Sequence, residues 1–93
     1  MNDSRKKLNC PCCGFLTLTV RYDWSICPVC FWEDDVVGTD VRDPLSPANN
    51  MRLSEGQKNY RLYGACRPDM VIHVRAPKPD EPKDPDWKPK SNV

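Results

Sequence analysis

Two short cysteine pairs constrain this chain more than anything else in it. Cys10-Pro11-Cys12-Cys13 and Cys27-Pro28-Val29-Cys30 both read C-x-x-C, both carry Pro after the first Cys, and 13 residues separate them. One such pair is a weak signal, because thioredoxin-like redox motifs share it. Two pairs at this separation point to one tetrahedral metal site. Pro11 and Pro28 fix φ within each turn, and Gly14 lets the backbone tighten behind Cys13. Four thiolates leave no open coordination position, so Cys10, Cys13, Cys27 and Cys30 are expected to hold one structural ion. Zinc (Zn2+) is the expected metal, with iron the less favoured choice, since four-thiolate sites accept either.

Composition supports the need for such a staple. The chain has 93 residues, of which 39% are hydrophobic, 29% charged and 10 are Pro. That limits it to one domain with a thin core, and small scaffolds of this kind usually recruit a metal. The formal net charge is +1; four thiolates and one divalent ion bring it to −1. A chain this close to neutral has no bulk attraction for nucleic acid or an anionic membrane. No apolar run reaches transmembrane length, and residues 1–9 are polar and basic without a secretory apolar region. Six cysteines in that setting read as ligands before disulfides, which implies a reducing, cytoplasmic location.

The chain divides into a polar arm at 1–7, a domain at 8–75 and a Pro-rich extended tail at 76–93. In the arm, Arg5, Lys6 and Lys7 either solubilise the chain or fold back to neutralise an anionic thiolate site. Leu8-Asn9 leads into the first cysteine turn. Phe15 to Val20 is rich in β-branched and aromatic residues and predicts a strand, with Leu16, Leu18 and Val20 facing inward. Arg21-Tyr22-Asp23 is the expected turn, and Trp24-Ser25-Ile26 the returning strand that brings Cys27 beside Cys10. Phe31 and Trp32 should pack over the metal cluster. Residues 36–52 show no periodicity and read as a long irregular loop. Ser54 to Tyr63 predicts a helix, with Ser54 and Gln57 as a capping box and Gly64 as the stop. Tyr60, Tyr63, Gly56 and Leu53 form its packing face, opposite Lys58 and Arg61. Met70 to Val74 reads as a strand or half-turn. Trp87 is the one large apolar side chain of a tail too polar to build a core. The expected fold class is therefore a small metal-stabilised α+β domain, a zinc-ribbon-like β-hairpin with two CPxC knuckles, one packed helix, a long loop and an extended tail.

Other groups offer chemistry. Glu33, Asp34, Asp35, Asp40 and Asp43 place five acids in eleven residues, opposed only by Arg42. They read either as a solvated loop or as an acidic face for a basic partner. Cys12 and Cys66 are either bystander thiols or redox-active ones. His73, the sole histidine, would need Cys66 or Cys12 as a nucleophile, and no third orienting group is placed beside them. The expectation is therefore no catalytic residue and no enzyme.

Cys10-Pro-Cys-Cys-Gly14 and Ile26-Cys-Pro-Val-Cys-Phe-Trp-Glu-Asp-Asp35 together resemble the bacterial cysteine-rich CPCC family. The similarity continues through Ala48-Asn49, Leu53-Ser54-Glu55, Asn59-Tyr60, Gly64-Ala65 and Val74-Arg75-Ala76-Pro77, over roughly residues 8–79. It departs at Ala76, where the family ending reads Val-Arg-Pro-Pro. The resemblance implies a small zinc-ribbon-like bacterial domain with its metal on Cys10, Cys13, Cys27 and Cys30. Small proteins of this look are plausible immunity proteins that bind and neutralise a partner toxin. The leading expectation is thus a zinc-binding protein-interaction module, with the five acids as its partner face. The alternatives are a nucleic-acid-associated zinc ribbon, or a protein of thiol redox or metal handling.

Overall fold

A computed structural model describes residues 7–35 and 42–90. Its elements are short, and turns carry most of the chain. Strand β1 (Leu8–Asn9) pairs antiparallel with β2 (Leu16–Leu18), matching Leu8 to Leu18 and Asn9 to Leu16 across a bulge. Strand β3 (Leu45–Ser46) pairs antiparallel with β4 (Met51–Arg52), and helix α1 (Leu53–Tyr63) follows directly. A 3-10 helix (Pro68–His73) closes the ordered set of elements. The result is a small α+β fold with two antiparallel hairpins, one helix and a central cysteine cluster.

The first hairpin is not the expected one. Residues 24–26 do not return against Phe15–Val20. Instead Trp24 N–H donates to Asp34 O at 3.0 Å, Asp34 N–H donates to Ser25 O at 2.9 Å, and Ile26 bridges Glu33. Each cysteine turn therefore closes on its own flanks. Leu18 is buried as expected, but Val20 lies half-exposed past the end of the strand.

The expected irregular loop at 36–52 contains the second hairpin. Its turn puts Asn50 in the left-handed region at φ 57°, and Asn50 N–H donates to Ser46 O at 2.8 Å. Asn tolerates that conformation better than most residues.

Helix α1 starts one residue before its expected start. Arg52 sits at the N-cap position without a side-chain cap. Ser54 does not cap its own helix. Its N–H and hydroxyl donate to the two oxygens of Asp43, at 2.9 and 2.7 Å. Gly64 is the expected stop, at φ 85°, with its N–H on Tyr60 O at 2.9 Å. Leu53 and Gly56 are buried and Tyr60 is half-buried, while Tyr63 is exposed. A Cβ on Gly56 would come 2.7 Å from the Trp32 ring, so the glycine is what lets helix and indole touch.

The core explains why this fold needs sulfur. Among the described residues twelve hydrophobic side chains are buried, and six of them are cysteines. Trp32 is the largest of the rest, and its burial removes on the order of 4 kcal/mol of apolar surface from water. Leu18, Val29, Met51 and Leu53 complete the cluster, with Leu8, Phe15, Phe31 and Tyr60 packed at its edge.

The described part of the Pro-rich segment, through residue 90, is not simply extended but passes through two turns, closed by Glu81 N–H on Lys78 O at 2.9 Å and Trp87 N–H on Asp84 O at 3.1 Å, and lies along the first cysteine turn. Leu16 N–H donates to Pro82 O at 2.9 Å, and Asp84 N–H donates to Gly14 O at 2.9 Å. Trp87 Nε1–H donates to Pro11 O at 2.8 Å. Arg75 holds both oxygens of Glu81 at 2.8 and 2.9 Å. Polar bonds and one indole fasten this segment, which is why its low apolar content does not keep it away.

Candidate metal centre

Two turns of identical backbone construction deliver the four sulfurs. In the first, Gly14 N–H donates to Cys10 O at 2.8 Å and Cys10 N–H to Phe15 O at 2.9 Å. In the second, Phe31 N–H donates to Cys27 O at 2.8 Å and Cys27 N–H to Trp32 O at 2.8 Å. Both need a left-handed residue after the second cysteine, supplied by Gly14 at φ 85° and Phe31 at φ 74°. Such a knuckle turns two thiols toward the same point.

The sulfurs of Cys10, Cys13, Cys27 and Cys30 all lie within 4.8 Å of one another. Cys10 Sγ is 3.5 Å from Cys30 Sγ, and Cys13 Sγ is 3.7 Å from Cys27 Sγ. A tetrahedron with metal–sulfur bonds of about 2.3 Å has edges of about 3.8 Å, so these spacings suit a four-thiolate ion. They are far too long for disulfides, and all six cysteines are free. The donor set therefore fits a tetrahedral thiophilic metal.

Electrostatics show what an ion would have to overcome. Burial pushes the Cys10 and Cys30 thiols well up; the neighbouring sulfurs push Cys30 further, and Cys13 and Cys27 do the same to Cys10 against an opposing bond from Cys30. Hydrogen bonds from Cys10, Cys13 and Cys30 pull the Cys27 thiol strongly down. Four thiolates cannot share this buried volume without a cation, so metal uptake must displace protons. Outer contacts favour the Cys27 thiolate: Val29 N–H donates to its Sγ at 3.4 Å, and the Thr17 hydroxyl lies 3.1 Å from it. Thr17 was not anticipated; only its place on the strand facing the second turn could have signalled it.

The other expected groups fall elsewhere. Asp34 and Asp35 are fully buried, and Asp43 nearly so. Asp34 Oδ2 accepts from Arg21 at 3.2 Å and from Tyr22 N–H at 3.1 Å. Asp35 Oδ2 accepts from the Ser46 hydroxyl and from Ala48 N–H, both at 3.0 Å. Asp43 holds the start of α1. Glu33 is half-buried, its backbone tied to the Asn49 side chain. Asp40 lies outside the described residues. The described acids thus form no exposed face: each buried carboxylate fixes a loop by accepting donors, which a charge count cannot reveal.

Cys12 and Cys66 are buried. Burial, helped by Cys12, pushes the Cys66 thiol up to about 12, which leaves it unreactive near neutrality. His73 is exposed and stacks on Phe31 at 5.5 Å. Lys7 pairs with Asp80 at 3.2 Å in the Pro-rich segment; Arg5 and Lys6 lie outside the described residues. Among the described residues, no helix is long and apolar enough to cross a membrane.

A family model described as "Cysteine-rich CPCC" matches residues 8–81. No curated protein and no solved structure matches the chain.

Proposed function

This chain belongs to the cysteine-rich CPCC family, and from that premise we propose that it is a metal-stapled protein-interaction module. One observation carries the reading: all four candidate ligands are buried, Cys10, Cys27 and Cys30 completely, so the centre presents no donor and no open position to a substrate. When bound, the metal supplies cross-linking and charge neutralisation to a core that is half sulfur. Cys10, Cys13, Cys27 and Cys30 hold it, Thr17 and Val29 N–H favour the Cys27 thiolate, and Trp32 keeps water away. Zinc is the proposed ion. Six free thiols suit a reducing, cytoplasmic location. This reading assigns the centre no catalytic role.

The contact surface moves from the acids to the turn after β2. Val20, Tyr22, Trp24 and Ile26 are each about half exposed at alternate positions. Exposed aromatics at such density favour a protein partner over nucleic acid. An immunity-type role, in which the partner is a bacterial toxin, is the most concrete version, and it rests on the look of the chain rather than on its acids. Native mass spectrometry of gently purified tagged protein tests the reading. The expected spectrum has one zinc per chain and a stoichiometric second protein, which the double variant Tyr22→Ala, Trp24→Ala loses while keeping its zinc. A metal-loaded chain with no partner would overturn the interaction role.

A further inference from the structure

A cleft of about 390 Å³ lies between helix α1 and the Pro-rich segment, beside the first cysteine turn. Gln57, Tyr60, Arg61 and Gly64 line it from the helix and its stop, and Lys83, Trp87 and Pro89 from the segment. Cys12 and Cys13, both buried, complete the wall. Arg61, Gly64, Lys83 and Pro89 are exposed, so the cleft meets solvent without rearrangement. Both charged residues of this lining are cations, and no described carboxylate joins them. Neither head group has a hydrogen-bond or ion-pair partner among the described residues. The Lys83 ammonium rests instead on aromatic faces, 4.6 Å from the Trp87 ring centre and 5.2 Å from that of Phe15. The neutral polar groups of the wall are already spent. Gln57 donates to Pro11 O at 2.9 Å and accepts from Lys90 N–H at 2.7 Å. Trp87 Nε1–H is held by Pro11 O and Gly64 N–H by Tyr60 O. What remains to recognise a ligand is apolar surface, the Tyr60 hydroxyl and two charges of one sign, the make-up of a small anion site.

We propose that this cleft binds a small aromatic phosphate ester, its phosphate held by Arg61 and Lys83 and its ring laid against Tyr60, Trp87 and Pro89. The charges select the head group. A phosphate monoester carries close to two negative charges near neutrality and three acceptor oxygens. A guanidinium offers it a planar fork, and an ammonium adds a point charge. A carboxylate answers only one of the two cations, and a neutral or cationic ring answers neither. The volume admits one substituted ring with its head group. The metal centre makes a competing demand, because four thiolates (−4) and one divalent ion (+2) leave −2 beside the cleft. Yet neither cation donates a hydrogen bond to a described sulfur, so both stay free to meet a ligand.

Four probes test the proposal on the metal-loaded full chain: phenyl phosphate, benzoate, inorganic phosphate and benzylammonium. The readouts are the Gly64 amide and Trp87 indole ¹⁵N–¹H resonances. Phenyl phosphate is expected to shift both saturably. Benzoate and inorganic phosphate, each lacking part of the ligand, should bind about 3–10-fold less tightly, and benzylammonium should shift neither resonance. Arg61→Gln and Lys83→Gln should each weaken phenyl phosphate about 3–10-fold, with zinc content and near-ultraviolet circular dichroism unchanged. Should Lys83→Gln loosen the Trp87 segment, Arg61→Gln, on an exposed position of the helix, still decides the matter. N-acetylphosphotyrosine methylamide separates the sources of the ester. Binding as tight as that of phenyl phosphate points to a modified side chain of another protein, and binding tenfold weaker to a free small molecule. Equal affinity for phenyl phosphate in the parent and in Arg61→Gln would overturn the proposal. So would resonances unmoved by every anion, meaning that the two cations serve only to offset the thiolate centre. None of these titrations uses a protein partner, so their failure leaves the interaction role standing, and the reverse holds.

Discussion

Residues 10–15 and 27–32 trace the same hydrogen-bonded path, yet one places Gly14 and the other Phe31 at the left-handed position. The neighbours explain the choice. A Cβ on Gly14 would come 2.7 Å from Trp87, so the first turn gives up a side chain to let the Pro-rich segment lie on it. Distant residues meet the second turn through its carbonyls instead, Cys66 N–H donating to Cys30 O at 2.7 Å and Arg75 N–H to Pro28 O at 3.2 Å. There Phe31 keeps its ring, packs at the edge of the core and stacks on His73. A non-glycine residue in this region costs about 1–3 kcal/mol, so the ring must return a comparable amount through packing. At the left-handed position one knuckle makes room for a distant indole, while the other carries an aromatic ring of its own.

The largest effect should ignore this difference. Cys10→Ser and Cys27→Ser each remove one of four sulfurs in a single cluster. Structural zinc contributes on the order of 10 kcal/mol to small domains, comparable to the whole stability of a domain this size. Both variants are expected to lose the metal and cooperative unfolding alike, read by metal stoichiometry and near-ultraviolet circular dichroism. A Cys10→Ser protein that kept a folded second turn would show that the knuckles are independent.

Gly14→Ala and Phe31→Gly should then separate the two. The alanine meets both a left-handed backbone and the Trp87 ring, for a loss of about 2–3 kcal/mol. The glycine relieves strain and removes a half-buried ring, and these offset to within about 1 kcal/mol. Denaturant unfolding of the metal-loaded proteins measures both. Equal losses would mean that the covering segment does not set the choice of glycine.

The sequence shows the cysteine pairs, the helix and its Gly64 stop clearly, because each is a local signal with a fixed spacing. It shows the second turn's path only in retrospect: Phe31 hides the glycine position that Gly14 advertises. The β3–β4 hairpin escapes a reading that takes 36–52 as an irregular loop, because its strands of two residues are too short for any alternation. The acids misled for a different reason. Asp34, Asp35 and Asp43 accept from residues 21–22, 46–48 and 54, and such pairings are set by the fold rather than by the run of charge. The segment after Ala76 looked unable to pack because its fastening is polar.

Trp87→Ala tests that fastening with a smaller effect, about 1–3 kcal/mol for a half-buried indole and its bond to Pro11 O. Hydrogen exchange gives the location. The amides of Leu16 and Asp84, bonded to Pro82 O and Gly14 O, should exchange faster, while those of Phe31 and Cys66 should not change. Faster exchange at all four would mean that the covering segment supports the whole domain rather than the first turn alone.

The smallest effect concerns the carboxylates that brace each side, and their signs are opposite. Arg75, with Lys78 N–H, holds the Glu81 carboxyl down at about 2, against an ordinary value near 4.5. Its contribution to folding is complete above about pH 4.5 and is lost as pH falls toward 2. Burial raises the Asp34 carboxyl despite Arg21 and Tyr22 N–H. Its ionisation therefore opposes folding at neutral pH, and acidification relieves that penalty before Glu81 is touched. Carboxyl ¹³C shifts of the metal-loaded protein between pH 7 and 4.5 check both. Asp34 should begin to move within that window while Glu81 stays flat. A Glu81 signal that moved like a free glutamate would mean that its pairing with Arg75 does not persist, and with it would go the polar clasp that lays the Pro-rich segment across the first knuckle.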